Sequence, residues 1–288
     1  MKRLRDIAEE IAPPVIAIAI ALVIWEVAVR ALRVPVYLLP SPSASAGTLF
    51  ALLGAGWTEP TYVGGAPAGL LRDAYITLLE ALIGLAIGTA AGVTLGVLMA
   101  VFRFAEQSVY PVAAAIRATP IIAIAPIFII WFGVDIAPKA AVVAVATFFP
   151  ILVNVITGLR TVDPNTIELF RSLNASKREI LWHLRVPNAL PHFFAAMRLA
   201  VSLSFIGATV GELVGSREGL GHMIVLAAIQ LRTTEVFSGV VVLAAMGIVL
   251  TEIVAVVQSR VLYWHESQRT TNLTSRSGGR GQRRLSHA

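Results

Sequence analysis

The sequence predicts an all-α polytopic membrane protein with six transmembrane helices. Three observations lead there. Of its 288 residues 57% are hydrophobic and 14% charged, with a mean hydropathy of +0.78, whereas a soluble domain carries about 25% charged residues. The apolar residues gather in runs of the length, about 20 residues, that crosses roughly 30 Å of hydrocarbon. The Lys and Arg residues sit mostly in the short segments between those runs, where membrane topology places them.

The elements follow in order. Residues 1–10 hold Lys2, Arg3 and Arg5 and form a cytoplasmic N-terminus ahead of a first span over 11–29. A basic start before an apolar run also describes a signal peptide. The small-residue site Ala44-Ser45-Ala46 lies about fifteen positions past the run, too far for cleavage, so the run reads as an uncleaved anchor. An extracytoplasmic loop over 30–74 leads to the second span, 75–102. The third and fourth spans cover 109–132 and 140–159. A cytoplasmic loop over 160–193 precedes the fifth span, 194–214. An extracytoplasmic segment, 215–235, leads to the sixth, 236–257. The tail, 258–288, ends in "SRSGGRGQRRLSHA", which is polar, glycine-rich and expected to be disordered.

In this arrangement sixteen of the 23 Lys and Arg residues face the cytoplasm. Six fall outside (Arg30, Arg33, Arg72, Lys139, Arg217 and Arg232), and Arg117 is left in the third span. The bias predicts that both termini are cytoplasmic.

Gly84, Gly88, Gly92 and Gly96 recur in the second span at a strict four-residue interval. Residues so spaced share a helix face, and glycine there lets a neighbouring backbone come close, which predicts tight helix packing. A phosphate-cradling loop is excluded, because the glycines sit inside an apolar helix with no lysine near them. Other chemistries fall away as well. The absence of cysteine removes disulfide frameworks and thiolate metal sites. The five histidines show no ligand spacing and no H-E-x-x-H, so neither a metal nor a cofactor is expected. The net charge of +6 belongs to loops between spans, so no nucleic-acid partner is expected.

One segment departs from the apolar pattern. "IELFRSLNASKREILWHLRVPNALPHFF", 167–194, carries Glu168, Arg171, Lys177, Arg178, Glu179 and Arg185. It reads as two short helices. Asp163-Pro164 is an N-cap followed by proline at the first helical position. Asn174 suits the left-handed turn that ends a helix. Ser176 and Glu179 form a capping box for the second helix, and Pro187 is expected to stop it. Leu169, Leu173, Ile180 and Leu184 give each helix an apolar side. That side needs a cover: the membrane domain itself, the lipid interface, or a groove on a cytoplasmic partner.

The same residues resemble the EAA loop of ABC-importer permeases, with its Glu-Ala-Ala-x-x-x-Gly-Ala pattern and a following Leu-Pro. Glu168 and Ala175 match, as do Val186-Pro187 and Leu190-Pro191, while Leu169 and Phe170 replace the two alanines and Asn174 the glycine. "LLPSPSA" at 38–44, "WFGVDIAPK" at 131–139, "FFPILVNVITGLRTVDP" at 148–164 and "EGLGHMI" at 218–224 extend the likeness over nearly the whole chain. They are similar to permeases of the nitrate/sulfonate/taurine/bicarbonate branch.

That resemblance implies a type I ABC importer (MetI-like) permease fold, with the ABC transmembrane type-1 domain over about 70–260, in a bacterial or archaeal cytoplasmic membrane. It implies that Glu168, Leu169, Phe170, Arg171, Ser172, Leu173, Asn174 and Ala175 couple to an ABC ATPase subunit dimer. Leu169, Phe170 and Leu173 would be the apolar anchors, and Glu168 and Arg171 the polar fixers. A second permease copy, as a homodimer, and an extracytoplasmic solute-binding protein complete the expected partners beside the lipid bilayer. "SREGLGH", 216–222, lacks the Gly-Lys-Ser/Thr of a nucleotide loop and is expected to be an extracytoplasmic turn facing the binding protein. The implied cargo is a small sulfonate-, taurine- or nitrate-like anion, and the chain itself is expected to be non-catalytic.

Ionisable residues in or near spans point to function by default. Glu26, Glu80, Arg117, Arg198, Glu212 and Glu252 qualify. Glu26, Arg198 and Glu252 lie near span ends and can snorkel. Arg117 and Glu212 are candidates for the translocation pathway, either paired with each other or with Arg117 helping an anion through. A secondary transporter uncoupled from an ATPase is the alternative, but it would need a coupling-ion site and usually internal repeats. A membrane-embedded enzyme would need a nucleophile–base or metal constellation. The sequence offers neither.

Overall fold

The computed structural model describes residues 2–56 and 69–263. Every regular element among them is helical. The order is α1 (Lys2–Ala31), α2 (Pro42–Gly54), α3 (Leu70–Val101), α4 (Arg103–Ala118), α5 (Ile121–Phe132), α6 (Ile136–Arg160), α7 (Pro164–Ser172), α8 (Lys177–Ile180), α9 (Val186–Gly215), α10 (Leu220–Ile229) and α11 (Thr233–Val261), with a π turn, Leu181–Arg185, joining α8 to α9. Five stretches are long and apolar enough to cross a bilayer: Ala12–Ala31, α3, α6, Lys177–Gly215 and α11. The pair α4 and α5, bent at a short break, makes a sixth if it is one span. Residues 57–68 of the expected 30–74 loop, and the tail from 264 onward, lie outside the described residues.

Two expectations are corrected, and two loops hold helices of their own. The third span, read as one helix over 109–132, is two helices. Pro120 biases its predecessor away from helical geometry, and Thr119 is extended at φ −79° and ψ 128°. Pro187 does not stop a helix. The π turn carries the chain through it, with Val186 N–H bonded to Leu181 O five residues back. Pro187 sits just inside α9, where its missing N–H is taken up by the changed ladder. The loop at 30–74 contains a helix, α2, and the segment at 215–235 contains another, α10. Both, at 13 and 10 residues, are shorter than the run that crosses a bilayer.

The chain divides into two compact units. The first comprises Met1–Leu82, Ile121–Val142 and Phe205–Met246, the second Ile83–Pro120, Val143–Ser204 and Gly247–Ala288.

In the first unit Leu52 of α2, Leu70 of α3, and Leu220 and Met223 of α10 form a buried cluster, with Val242, Leu243 and Met246 of α11 against it. Trp25 of α1 packs at a tilt against Phe237 of α11, with ring centroids 5.3 Å apart. The "LLPSPSA" motif has a local reason. Ser41 caps α2 by accepting Ala44 N–H at 3.3 Å, and Pro42 opens the helix. Ser43 then donates its N–H (3.0 Å) and hydroxyl (2.8 Å) to Glu26 of α1. Glu26 thus ties α1 to α2.

In the second unit the glycine face of α3 lies on α6. A Cβ at Gly92 would stand 2.9 Å from Phe148 O and 3.0 Å from Ile151 Cγ2, one at Gly96 2.9 Å from Val155 Cγ1, and one at Gly88 2.7 Å from Ala144 O. Gly84 is buried in the same row. Residues 144, 148, 151 and 155 lie on one face of α6 by helical spacing. The backbones therefore approach where only hydrogen fits. Gly158 repeats the device toward α9, since its Cβ would stand 2.8 Å from Ala189 Cα. A second buried cluster joins Met99, Ala113, Phe149 and Leu152. Arg160 closes this unit with bonds to both Glu106 oxygens (2.6 and 2.8 Å) and to Met99 O at 2.9 Å, near the carbonyl end of α3.

Candidate functional site

The charged loop lies wholly in the second unit, and its backbone is fixed by caps. Asp163 Oδ1 accepts Asn165 N–H at 3.3 Å, and Pro164 opens α7. At the other end Asn174 is left-handed, at φ 63°. Ala175 N–H reaches Phe170 O (3.0 Å) and Asn174 N–H reaches Arg171 O (2.9 Å), the paired bonds of a Schellman ending. The capping box is present. Glu179 Oε2 takes Ser176 N–H at 2.7 Å, and Ser176 Oγ takes Glu179 N–H at 3.3 Å. Each cap contributes about 1 kcal/mol, so residues 163–180 hold a defined shape.

That shape presents an uncovered apolar edge. Leu169 is 58% exposed and Leu173 72% exposed, and Trp182 on the π turn is 59% exposed. Phe170 is half-buried, and Glu168, Arg171, Ser172 and Asn174 are exposed. Single exposed leucines are ordinary. Two of them, on α7 and at its C-cap and outside every span-length helix, make a surface suited to a groove.

A second constellation fills the first unit. Lys139 of α6 and Glu80 of α3 form an ion pair with both side chains shut from solvent. Lys139 also donates to Ser216 Oγ at 2.8 Å. Arg72 of α3 holds Glu218 at 2.6 Å. Beside them the start of α10 is gripped by three side chains. Gly219 N–H donates to Asp73 Oδ1 (2.9 Å), Leu220 N–H to Thr77 Oγ1 (2.9 Å) and Gly221 N–H to Glu212 Oε2 (2.5 Å). Thr77 donates its hydroxyl to Glu212 Oε1 at 2.6 Å. The free N–H groups and positive end of a helix suit such acceptors. Gly219 is needed twice, for its φ of 103° and because a Cβ would run into the Glu212 carboxylate. His222, on the first turn of α10, is held below the ordinary histidine range by burial first and then by the charge of Lys139.

This network is a strap between α3, α6, α9 and α10, and among the described residues no cluster suits a metal ion. Residues 216–219 form the expected turn ahead of α10, and Gly219, Leu220 and Gly221 are buried where that turn enters the helix. Arg117 and Glu212 each have their own partner. The Arg117 guanidinium stands 4.8 Å over the Phe149 ring, and Glu212 holds Thr77 and Gly221. Lys139, Asp73 and Thr77 were missed by sequence reasoning. The unbroken apolar run begins only at Ala140, whereas α6 begins at Ile136 and so includes Lys139.

Span-length helices joined to a capped charged loop with an open apolar edge suit a membrane subunit that works with a partner. The comparisons agree. The chain belongs to the family of binding-protein-dependent transport system inner membrane components, which matches residues 92–262. It is 36% identical to the formylaminopyrimidine transport permease of Halalkalibacterium halodurans, over 88% of this chain and 96% of that one. It is 33% identical to the riboflavin transport system permease of Chloroflexus aurantiacus, over 88% and 90%. The taurine transport system permease of Escherichia coli is 26% identical, over 84% and 85%. A chain of the MetNI methionine ABC transporter superposes with a TM-score of 0.54 at 20% identity, over 68% of this chain and 99% of that one, which shows the fold. The chain is thus a multi-pass inner-membrane permease subunit of an ABC importer with the MetI-like fold. A separate ATPase subunit and a solute-binding protein go with that class.

Proposed function

We propose that residues 163–187 dock on the ATPase subunit and carry its nucleotide-driven movement into the permease. The carrying observation is the exposure of Leu169 and Leu173 on a loop with capped helices. Glu168 and Arg171 flank these anchors and fix their position. The basic loops supply the orientation, with both termini cytoplasmic, and a homodimer supplies two docking loops for two ATPase subunits. Gly84, Gly88, Gly92 and Gly96 serve packing of α3 on α6. Glu212 serves the strap on α10 before any pathway role, which leaves Arg117 as the exposed candidate for the path.

The cargo is a small organic solute handed over by the binding protein. Likeness to the taurine permease supports a sulfonate-like anion. The higher identity to the formylaminopyrimidine and riboflavin permeases supports a second reading, a planar nitrogen heterocycle. Uptake by vesicles holding permease, ATPase subunit and binding protein tests both, with radiolabelled taurine, a formylaminopyrimidine and riboflavin compared. Uptake without the ATPase subunit would instead mean a secondary transporter.

A further inference from the structure

A cavity of about 540 Å³ opens in the second unit between the charged loop and the end of α3. Its lining includes Arg171, Lys177, Arg178 and Arg185, and it contains no acidic residue. None of these four side chains makes a hydrogen bond or ion pair among the described residues. The nearby acids are engaged or turned elsewhere. Glu179 is bound to the N–H and hydroxyl of Ser176, and Glu168 is exposed on α7 and does not line the cavity. Arg185 Nε is closed off from solvent with no partner. Val101 and Ile180 form an apolar wall beside the charges.

Four like charges around one space repel each other unless an anion joins them. A single carboxylate would balance one charge. A phosphate group offers several oxygens, and guanidinium forks match them two bonds at a time. The volume falls within the range of about 300–1,000 Å³ for small-ligand pockets. Basic pockets at the cytoplasmic ends of spanning helices hold lipid head groups, and an apolar wall beside the cations suits the junction of head group and chain. We propose that this cavity binds a phosphate group, borne either by an anionic phospholipid or by a free phosphate compound, with Lys177, Arg178 and Arg185 as its principal ligands.

The test uses the full chain purified in neutral detergent, so its outcome is independent of the uptake experiment. Native mass spectrometry counts retained phosphatidylglycerol against phosphatidylcholine, and calorimetry titrates inorganic phosphate in the absence of lipid. Lys177→Gln/Arg185→Gln is the test variant, and Arg178→Gln is a milder second one. Circular dichroism and elution position check that each is folded. Phosphatidylglycerol should be retained at least about tenfold over phosphatidylcholine, a difference of about 1.4 kcal/mol, and the double variant should abolish that preference. Saturable binding of inorganic phosphate, lost in the double variant, would support the same site with a free phosphate as its source. The proposal is overturned if folded variants keep wild-type binding of both probes, or if wild type binds neither.

Discussion

Lys139 illustrates how a single residue can be costly and still retained. Its ammonium and the Glu80 carboxylate are both withdrawn from water, and each would be expensive to bury alone. Lys139→Met would leave Glu80 buried without its cation. Such a loss costs about 3–5 kcal/mol, and the unfolding midpoint in detergent should fall accordingly. Lys139→Met/Glu80→Met removes both charges, so most of the lost stability should return. A double variant no more stable than the single one would show that the pair is not the main term. At Gly219 the reason is backbone geometry: with φ at 103° and the Glu212 carboxylate in the way of a Cβ, Gly219→Ala should destabilise the start of α10 even though it adds one methyl group.

Helices fail where their contact faces are altered. The face of α3 that meets α6 admits only hydrogen at Gly88, Gly92 and Gly96. Gly92→Leu must push the two helices apart, at a cost at or above the usual 1–3 kcal/mol for overpacking. Gly47 is the matched control. A Cβ there meets nothing within 4 Å, and Gly47→Ala inside α2 should gain about 0.5–1 kcal/mol from backbone entropy. Thermal unfolding of both variants separates packing from propensity, and equal midpoints would show that the glycine face carries no packing constraint. The glycine spacing was legible in the sequence because a four-residue period in an apolar run has few other uses. The caps at Asp163, Asn174 and Ser176 were legible because capping is local chemistry. The break at Thr119 was marked by Pro120, yet the hydropathy of the run concealed it. The π turn before Pro187 has no local signature, and α2 and α10 are too short to stand out as spans. The strap is hardest to see from sequence: Asp73 and Gly219 lie far apart in the chain, and only the fold brings them to 2.9 Å.

For the whole molecule the decisive question is whether the charged loop joins the permease to its motor. The positive-inside bias predicts that a reporter active only outside the cytoplasm is active when fused near Gly56 or Asp135 and silent near Asn174. A signal at Asn174 would remove the loop from reach of any ATPase. If the orientation holds, Leu173→Asp becomes the most informative substitution. Leu173 is 72% exposed, so the change breaks no buried contact and touches no span, and the variant should insert and express as wild type. It lies next to Asn174, whose left-handed turn is set by backbone bonds that the substitution leaves alone. Its effect should therefore fall on the partner. A carboxylate pressed into an apolar groove loses its water without gaining a counterion. An anchor lost at an interface centre costs at least about 2 kcal/mol, roughly thirtyfold in affinity. Co-purification of the ATPase subunit should fall by that factor or more, and substrate-stimulated hydrolysis should disappear. Leu53→Asp, on α2 and 37% exposed, should leave ATPase association intact, which separates loss of a docking anchor from a general effect of added charge. Wild-type transport by Leu173→Asp would show that the loop edge is not where the motor attaches.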